Sequence, residues 1–282
     1  LNDIIFGTND VGWVIGDLGT IIKTTDGFYD SVINQESNTS EELLSISLVS
    51  NDLLWISGNN GIILKTTNGG DAWIQYNTNL TDNITSIDFA NENVGWAIGS
   101  NGNILRTIDA GENWEIFPNT EFQGLKRICV TDQNNAWAVG NNGKILKLSY
   151  SDNSITYINK SQSGLTRTLN DVTFFDSNIG WVVGDTCTNI KTTDGGITWS
   201  YLPNNDYILN STKYNKVNFV NQNYVYIATS QGLIISSDGG LSWFLNFYNQ
   251  NNSINSVCFI DESIGYSVDS FGNIGIYYAD YC

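Results

Sequence analysis

The chain has 282 residues, with 29 Asp or Glu against 12 Lys or Arg, so its formal net charge is −17. This acidity excludes a nucleic-acid partner and disfavours anionic membranes, because binding a polyanion needs a clustered basic surface. The chain contains no His, which removes the usual general base and the commonest zinc ligand. No apolar run is long enough to span a membrane.

A Gly-aromatic pattern recurs along the whole chain. Its aromatic residues are Trp13, Trp55, Trp96, Trp137, Trp181, Tyr226 and Tyr266. They are 40 to 45 residues apart, and such a period is typical of a four-stranded propeller blade. The pattern therefore predicts seven repeat units.

The fifth unit, Asn178–Trp199, shows the predicted strands best. A short apolar run before it forms strand a, the Gly-Trp run forms strand b, and an Ile-Lys-Thr run forms strand c. A tight Asp-Gly-Gly turn then leads into strand d at a second Trp. No stretch has sustained helical periodicity, so we predict an all-β protein.

We predict a single seven-bladed β-propeller of four-stranded antiparallel blades over residues 1–282. The expected blades are approximately 1–40, 41–82, 83–123, 124–166, 167–211, 212–252 and 253–282.

Three units depart from the pattern when the chain is taken in order. The first unit opens on strand a, and its turn after Asp26 lacks the following Trp. The fourth has a degenerate turn around Tyr150. The seventh stops before a strand d, so we expect the last blade to lack its outer strand. An exposed strand edge is a template for pairing, and we hypothesise that sequence outside this chain or a neighbouring molecule completes it.

All nine Trp residues occupy repeat positions. Five belong to strand b, and the other four, which follow the turn, are Trp73, Trp114, Trp199 and Trp243. We expect them to pack within and between blades. No Trp is left over for a sugar-stacking platform.

The turn between strands c and d matches the pattern S/T-x-D-x-G-x-x-W. Its acidic or amide positions are Asp26, Asn68, Asp109, Asp194 and Asp238. This turn resembles the Asp-box, or bacterial neuraminidase, repeat. The fuller unit, GWxxGxxGxIxxTxDGGxxW, is similar to the repeats of the photosystem II stability/assembly factor-like propellers. The resemblance implies that the Asp accepts backbone N–H bonds and that the Trp covers it.

The same resemblance implies two possible functions. Sialidases bind a carboxylate with three arginines, but Arg106 here occupies a repeat position shared with lysines, and no Tyr–Glu nucleophile pair accompanies Arg127 and Arg167. Assembly factor-like members hold a protein partner, which requires no catalytic residue. The basic patch expected of photosystem assembly members is not evident in this acidic chain.

The turns between strands b and c should ring one face and form a polar rim that hydrogen-bonds a peptide or glycan. The candidate binding residues are Asp17, Asn59, Asn60, Asn101, Asn142, Asp185 and Phe271. The alternative interpretation is that Asn and Asp are simply good turn formers.

Strand a should line the central channel. Its predicted channel-facing residues include Asp88, Thr173 and Asn218. One carboxylate without a partner base does not predict acid–base catalysis. We predict no catalytic residue, no metal site and no cofactor.

The location is predicted from processing and modification signals. A chain that starts at Leu1 is typical of a processed product or a fragment. Sequons occur at Asn38, Asn79, Asn83, Asn159, Asn210 and Asn251, which fits a secreted or surface protein. The four cysteines, Cys129, Cys187, Cys258 and Cys282, show no metal-ligand spacing, and we expect no disulfide.

We therefore predict a non-catalytic, extracytoplasmic binding or scaffolding propeller that holds a protein or glycan partner. One alternative is a sialidase-like glycoside hydrolase. Another is a structural subunit of a surface assembly, joined by strand donation at blade seven.

Overall fold

The computed structural model describes residues 1–162, 164–203, 211–246 and 253–278. Their strands form seven antiparallel sheets, six of four strands and one of three, and each sheet follows the order of its strands in the chain. The prediction of an all-β seven-bladed propeller is confirmed. The chain divides into two compact units, one of Leu1–Ala138 with Leu146–Ile158 and one of Val139–Ile145 with Asn159–Cys282.

The first unit contains three complete blades. Blade 1 consists of β1 (Asp3–Phe6), β2 (Gly12–Ile15), β3 (Ile21–Thr24) and β4 (Ile33–Asn34). Blade 2 consists of β5 (Leu43–Leu48), β6 (Leu54–Gly58), β7 (Ile62–Thr66) and β8 (Ile74–Asn77). Blade 3 consists of β9 (Ile84–Phe89), β10 (Gly95–Gly99), β11 (Asn103–Thr107) and β12 (Glu115–Pro118).

Blade 4 carries residues assigned to both units. It consists of β13 (Leu125–Val130), β14 (Asn135–Gly140), β15 (Ile145–Ser151) and β16 (Ser154–Asn159). Its degenerate turn is a two-residue hairpin in which Asp152 and Asn153 have φ values of 51° and 57°. Asp and Asn tolerate this left-handed conformation, which fits the twist of the paired strands. A different turn thus replaces the Asp-box here.

The second unit contains the remaining blades. Blade 5 consists of β17 (Leu169–Phe174), β18 (Gly180–Gly184), β19 (Thr188–Thr192) and β20 (Ser200–Tyr201). Blade 6 consists of β21 (Tyr214–Phe219), β22 (Val225–Thr229), β23 (Gly232–Ser236) and β24 (Phe244–Asn246). Blade 7 has β25 (Ile254–Phe259), β26 (Ile264–Asp269) and β27 (Ile274–Tyr278). Among the described residues this blade has three strands, and the prediction of a last blade without its outer strand is confirmed. That another segment completes it stays a prediction.

The turn between strands c and d is held by one repeated set of hydrogen bonds. In blade 3 the Asp109 carboxylate accepts from the Thr107 hydroxyl at 2.9 Å and from the Asn113 backbone N–H at 3.0 Å. The Thr107 hydroxyl oxygen also accepts from the Gly111 N–H at 2.9 Å. The same pattern surrounds Asp26, Asn68, Asp194 and Asp238. The Asn68 amide can replace the carboxylate because the turn requires only an oxygen that accepts these hydrogen bonds.

The Asp-boxes of blades 2, 3 and 6 also pack against the strand-b Trp of the preceding blade. The Trp13 indole N–H donates to the Gly69 carbonyl at 3.2 Å. A Cβ on Gly111 would lie 2.2 Å from the Trp55 ring, so this box needs glycine where the ring approaches. The Trp residues of strand b are buried, and Trp73, Trp199 and Trp243 beside their turns are nearly so. Packing between blades 1 and 2, blades 2 and 3, and blades 5 and 6 therefore depends on these boxes.

A cation on strand c strengthens these contacts. Lys65 Nζ lies 4.8 Å from the Trp55 ring centroid and donates to the Ala110 carbonyl of the next blade at 2.7 Å. Lys191 repeats this arrangement with Trp181 and Gly239. Cation–π contact and a hydrogen bond to the next turn together explain why strand c conserves a positive charge through five repeats of this chain.

In the described part of the chain, no helix has the length and hydropathy needed to cross a lipid bilayer. Among the described residues, Cys129, Cys187 and Cys258 are not joined in a disulfide. Cys282 and the sequons at Asn210 and Asn251 lie outside the described residues.

Candidate partner-binding rim

The b–c turns of blades 1, 2 and 4 share a central residue in the left-handed conformation. In blades 1, 2 and 4 the turn is a short 3-10 segment, Asp17–Gly19, Asn59–Gly61 and Asn141–Gly143. Leu18, Asn60 and Asn142 lie at its centre with φ values of 54° to 58°. Asn adopts this conformation readily, whereas Leu does not, yet Leu18 is 81 % exposed. The turns therefore present side chains to solvent in a fixed orientation.

In blade 2 the rim amides are held by carboxylates of the preceding loop. Asn60 Nδ2 donates to Glu41 Oε2 at 2.8 Å, and Asn59 Nδ2 donates to Glu42 Oε2 at 3.1 Å. Glu42 Oε1 accepts in turn from Asn2 Nδ2 at 3.3 Å. These bonds fix both the amides and the carboxylates, so the rim of blade 2 is an ordered acidic surface.

Neighbouring blades of the first unit repeat this pairing. Asp82 accepts from Asn101 Nδ2 at 2.5 Å and from Asn103 Nδ2 at 2.6 Å. Asp17 accepts from Asn2 Nδ2 at 3.1 Å. Asp82 is buried, while Asp17 and Asn101 are exposed. The exposed groups can contact a partner, and Asp82 holds their turn in place.

The second unit places its rim residues differently. Asp185 accepts from Asn170 Nδ2 at 2.9 Å, and Asn142 is exposed. Phe271 is 71 % exposed, and its turn is closed by the Asp269 carboxylate, which accepts from the Phe271 and Asn273 backbone N–H groups. The described b–c turns of the second unit are less acidic than those of the first and include one exposed ring.

The sequence did not reveal the carboxylates that organise the first-unit rim. Glu41, Glu42 and Asp82 lie in loops between blades, and those loops do not repeat. The one sequence feature that these three carboxylates share is their position, because each lies one or two residues before a strand a. The Asn2 and Asn170 amides could have been found from the sequence, because both residues fall one residue before the same strand-a position. In the structure they donate to the Leu43 and Tyr214 carbonyls of the next blade.

Asp88 links three neighbouring inner strands. Its oxygens accept from the Ser47 hydroxyl at 3.2 Å, the Phe89 N–H at 3.0 Å and the Val130 N–H at 2.7 Å. Burial raises the pKa of Asp88, although these hydrogen bonds and Arg127 act in the opposite direction. Through its hydrogen bonds to Ser47 and Val130, Asp88 in blade 3 joins blades 2 and 4.

Two further residues were expected to face the channel. Asn218 occupies the position equivalent to Asp88, and its Oδ1 accepts from the Phe259 N–H at 2.9 Å. Thr173 pairs in register with Trp181 on β18 and is half-buried. Asn218 thus repeats the interblade role of Asp88 in the second unit.

The three arginines have separate partners. Arg106 donates to the Gln133 carbonyl and stacks 3.8 Å from the Tyr150 ring centroid. Arg127 pairs with Asp3 at 3.0 Å, and Arg167 donates to the Thr186 carbonyl at 3.1 Å. Each guanidinium thus contacts a different set of residues, which differs from the three-arginine carboxylate site of sialidases. The described residues also contain no group of three or more acidic, Cys or His side chains that could hold a metal ion.

The family model described as "Photosynthesis system II assembly factor YCF48" matches residues 1–83 and 150–245, which is more than half of the chain. The chain belongs to the YCF48 family. The prediction of an assembly factor-like Asp-box propeller is confirmed. The prediction of a non-catalytic protein is also confirmed by this membership, because the family is one of assembly factors, and the glycoside hydrolase alternative loses its basis.

Solved structures agree on the fold of this YCF48-family chain. It is similar to YCF48 bound to D1 peptide, with 21 % identity, a TM-score of 0.78, and coverage of 99 % of this chain and 93 % of that one. YCF48 from Cyanidioschyzon merolae gives 18 % identity, a TM-score of 0.77, and coverage of 100 % and 96 %. The WD40 β-propeller domain of Doa1 gives 11 % identity, a TM-score of 0.79, and coverage of 100 % and 93 %. The search of the curated proteins found no match.

Proposed function

We propose that this chain is a non-catalytic scaffold that holds a protein partner on the rim of its b–c turns, outside the cytoplasm. Membership of a family of assembly factors carries this proposal. A structurally similar YCF48 was solved with a bound peptide, the D1 peptide, which supports a peptide segment as the kind of ligand. Binding of this type needs positioned polar groups on a rigid frame, and no catalytic residue.

The rim of the first unit suits a partner segment that carries positive charge. Asp17, Glu41 and Glu42 lie there, and amides fix the orientation of each carboxylate. Ordered side chains lose little conformational entropy on binding, which favours affinity. The net charge of −17 adds long-range attraction for a basic partner.

The extracytoplasmic location rests on the modification signals. The sequons at Asn38 and Asn159 are exposed, so both are accessible to modification in a secretory compartment. Fractionation of the native source, followed by detection of the chain outside the cytoplasmic fraction, tests this part separately.

The function is tested by crosslinking a tagged chain in its native source and identifying captured proteins by mass spectrometry. The rim variant Glu41→Gln/Glu42→Gln removes two charges at the b–c end of blade 2. The control Asp71→Asn/Glu92→Gln removes two charges from exposed turns at the other ends of strands in blades 2 and 3. We expect one stoichiometric partner with the wild type and the control, and loss of that partner with the rim variant.

Recovery of the chain without any protein partner would overturn the proposal. Equal capture by the rim variant and the wild type would overturn the rim as the binding surface.

A further inference from the structure

A cleft of about 420 Å³ lies between blades 2 and 3 of the first unit. One wall comes from β8 and the residues after it, with Tyr76 and Thr78. The other comes from the Asp-box of blade 3, with Glu112, Asn113 and Trp114. Thr78 donates to the Gly61 carbonyl at 3.0 Å, so the cleft begins beside the b–c turn of blade 2. It thus runs from the rim towards the box.

The cleft holds a carboxylate that has no cation beside it. Glu112 Oε1 accepts from the Tyr76 hydroxyl at 3.1 Å. Among the side chains that the structure describes, which do not include that of Asn77, Glu112 Oε2 has no hydrogen-bond donor. No described Lys or Arg nitrogen lies within ion-pair distance of Glu112. Burial and then Glu112 raise the pKa of Tyr76, which keeps the hydroxyl protonated as a donor. One carboxylate oxygen is therefore held in place while the other is available.

The aromatic walls are fixed by packing. The Trp114 ring meets Trp55 and Phe89 edge-on, at centroid distances of 6.2 and 6.0 Å. Tyr76 packs 5.9 Å from Trp55. Lys65 contacts Trp55 from within the blade, and its Nζ is buried against the Ala110 carbonyl. The rings thus keep their places with or without a ligand.

Two side-chain donors that line the cleft are already used, and the Trp114 indole N–H is buried rather than presented to the cleft. The Thr78 hydroxyl donates to Gly61, and the Asn113 amide donates to Asp109 Oδ2 at 2.8 Å. What the cleft offers is an acceptor and aromatic faces. A neutral sugar needs donors as well as acceptors, whereas a guanidinium or ammonium group matches a carboxylate beside aromatic rings.

No other described Asp-box has this combination. The residues equivalent to Glu112 are Tyr29, Asp71, Ile197 and Leu241. Asp71 is the only acid among them, and the strand d that precedes its blade, β4, is Ile33–Asn34 and contains no aromatic residue. The cleft therefore breaks the repeat, and a feature confined to one repeat can supply specificity.

We infer that this cleft binds an arginine or lysine side chain of the partner protein, with Glu112 as its counter-ion and Tyr76 and Trp114 as aromatic walls. The inference rests on the proposed function for the source of that side chain. Thr78 lines the cleft and bonds the b–c turn of blade 2, so a segment on the blade 2 rim lies beside one end of the cleft.

The test titrates N-acetyl-arginine-amide into the ¹⁵N-labelled chain and follows the Trp114 indole N–H by NMR, with Trp114→Phe to assign the signal. We expect saturable shifts, and a Kd about fivefold weaker in Glu112→Gln, the size of an exposed ion pair. The matched control Asp71→Asn removes the same charge one blade earlier and should leave the Kd unchanged. Tyr76→Phe should also weaken binding, because Glu112 loses its hydroxyl donor.

Absence of a saturable Trp114 shift, or equal Kd values for the wild type and Glu112→Gln, would overturn the inference. Tighter binding of maltotriose than of the arginine probe would also overturn it, in favour of a glycan. The probe needs no natural partner, so this result is separate from the capture experiment. Arginine binding without a captured partner would refute only the proposed function, and a partner captured equally by Glu112→Gln would refute only the cleft.

Discussion

The Arg127 guanidinium donates to the Asp3 carboxylate at 3.0 Å, although 124 positions separate the two residues. The same guanidinium donates to Ser45 Oγ at 3.1 Å. Asp3 also accepts from the Ile46 backbone N–H. One cation of blade 4 thus joins the inner strands of blades 1 and 2.

Replacing Arg127 by Ala should destabilise the protein by about 3 kcal/mol, because it leaves the buried Asp3 carboxylate without its counter-ion. Urea unfolding followed by Trp fluorescence measures the loss. The control Arg167→Ala removes an exposed guanidinium that donates to one carbonyl, and its effect should be within about 0.5 kcal/mol. Similar losses in the two variants would show that the ion pair contributes little.

The Asp-box carboxylates should make the free energy of unfolding depend on pH in the acidic range. Hydrogen bonds from Thr198 and Thr192 lower the pKa of Asp194 to about 2, and bonds from Ser242 and Ser236 do the same for Asp238. A folded pKa below the ordinary value of 3.8 means that the stabilisation is present above that value. It is lost as pH falls towards 2.

Asp194→Asn/Asp238→Asn should therefore flatten the loss of stability between about pH 4 and pH 2. The turn itself should survive, since Asn68 makes the same bonds in blade 2. Urea midpoints across this range provide the measurement. Asp152→Asn, in the blade 4 hairpin that lacks a box, is the control, and an identical pH slope in the double variant and the wild type would contradict the prediction.

Asp88 should show the opposite pH dependence. Burial raises the pKa of Asp88, so the stabilisation from this group is present at low pH and is lost as pH rises through the folded pKa. Asp88→Asn should gain stability relative to the wild type as pH rises. Asn218→Asp, the reverse change at the equivalent position, should introduce such a dependence. Urea midpoints of the wild type and both variants from about pH 3 to pH 7 test this prediction. A difference in midpoint between Asp88→Asn and the wild type that does not change with pH would refute it.

Lys191→Met should cost about 1 kcal/mol, because it removes the cation 4.1 Å from the Trp181 ring and the donor to Gly239. Lys213→Met, at an exposed position, should change the free energy of unfolding much less. Chemical denaturation of both variants gives the comparison. Equal effects would mean that the strand-c cation does not stabilise the interface between blades 5 and 6.

The fold could be predicted because it repeats. Trp55, Trp96 and Trp181 mark the same strand in three of the units, and Asp109 and Asp194 mark the same turn. A spacing of about forty residues then leaves few architectures. The blade 4 hairpin at Asp152 and Asn153 was seen only as a lost repeat, because its turn obeys a different local rule.

The candidate sites were harder to predict because they lie where the repeat fails. The sequence indicated Asn59 and Asn60 as rim residues, but it gave no reason to pair them with Glu42 and Glu41. Residues 36 positions apart, as Tyr76 and Glu112 are, become neighbours only when adjacent blades pack. Sequence periodicity predicts the strands, but it does not predict which residues of adjacent blades are in contact.

Site-specific photocrosslinking tests most directly whether the rim holds a protein. Benzoylphenylalanine would replace Asn60 at one end of β6 or Asp52 before its other end, both exposed in the same blade. Irradiation in the native source should give one defined protein adduct from position 60 and none from position 52. No adduct from position 60, or the same adducts from both positions, would contradict a partner-binding rim.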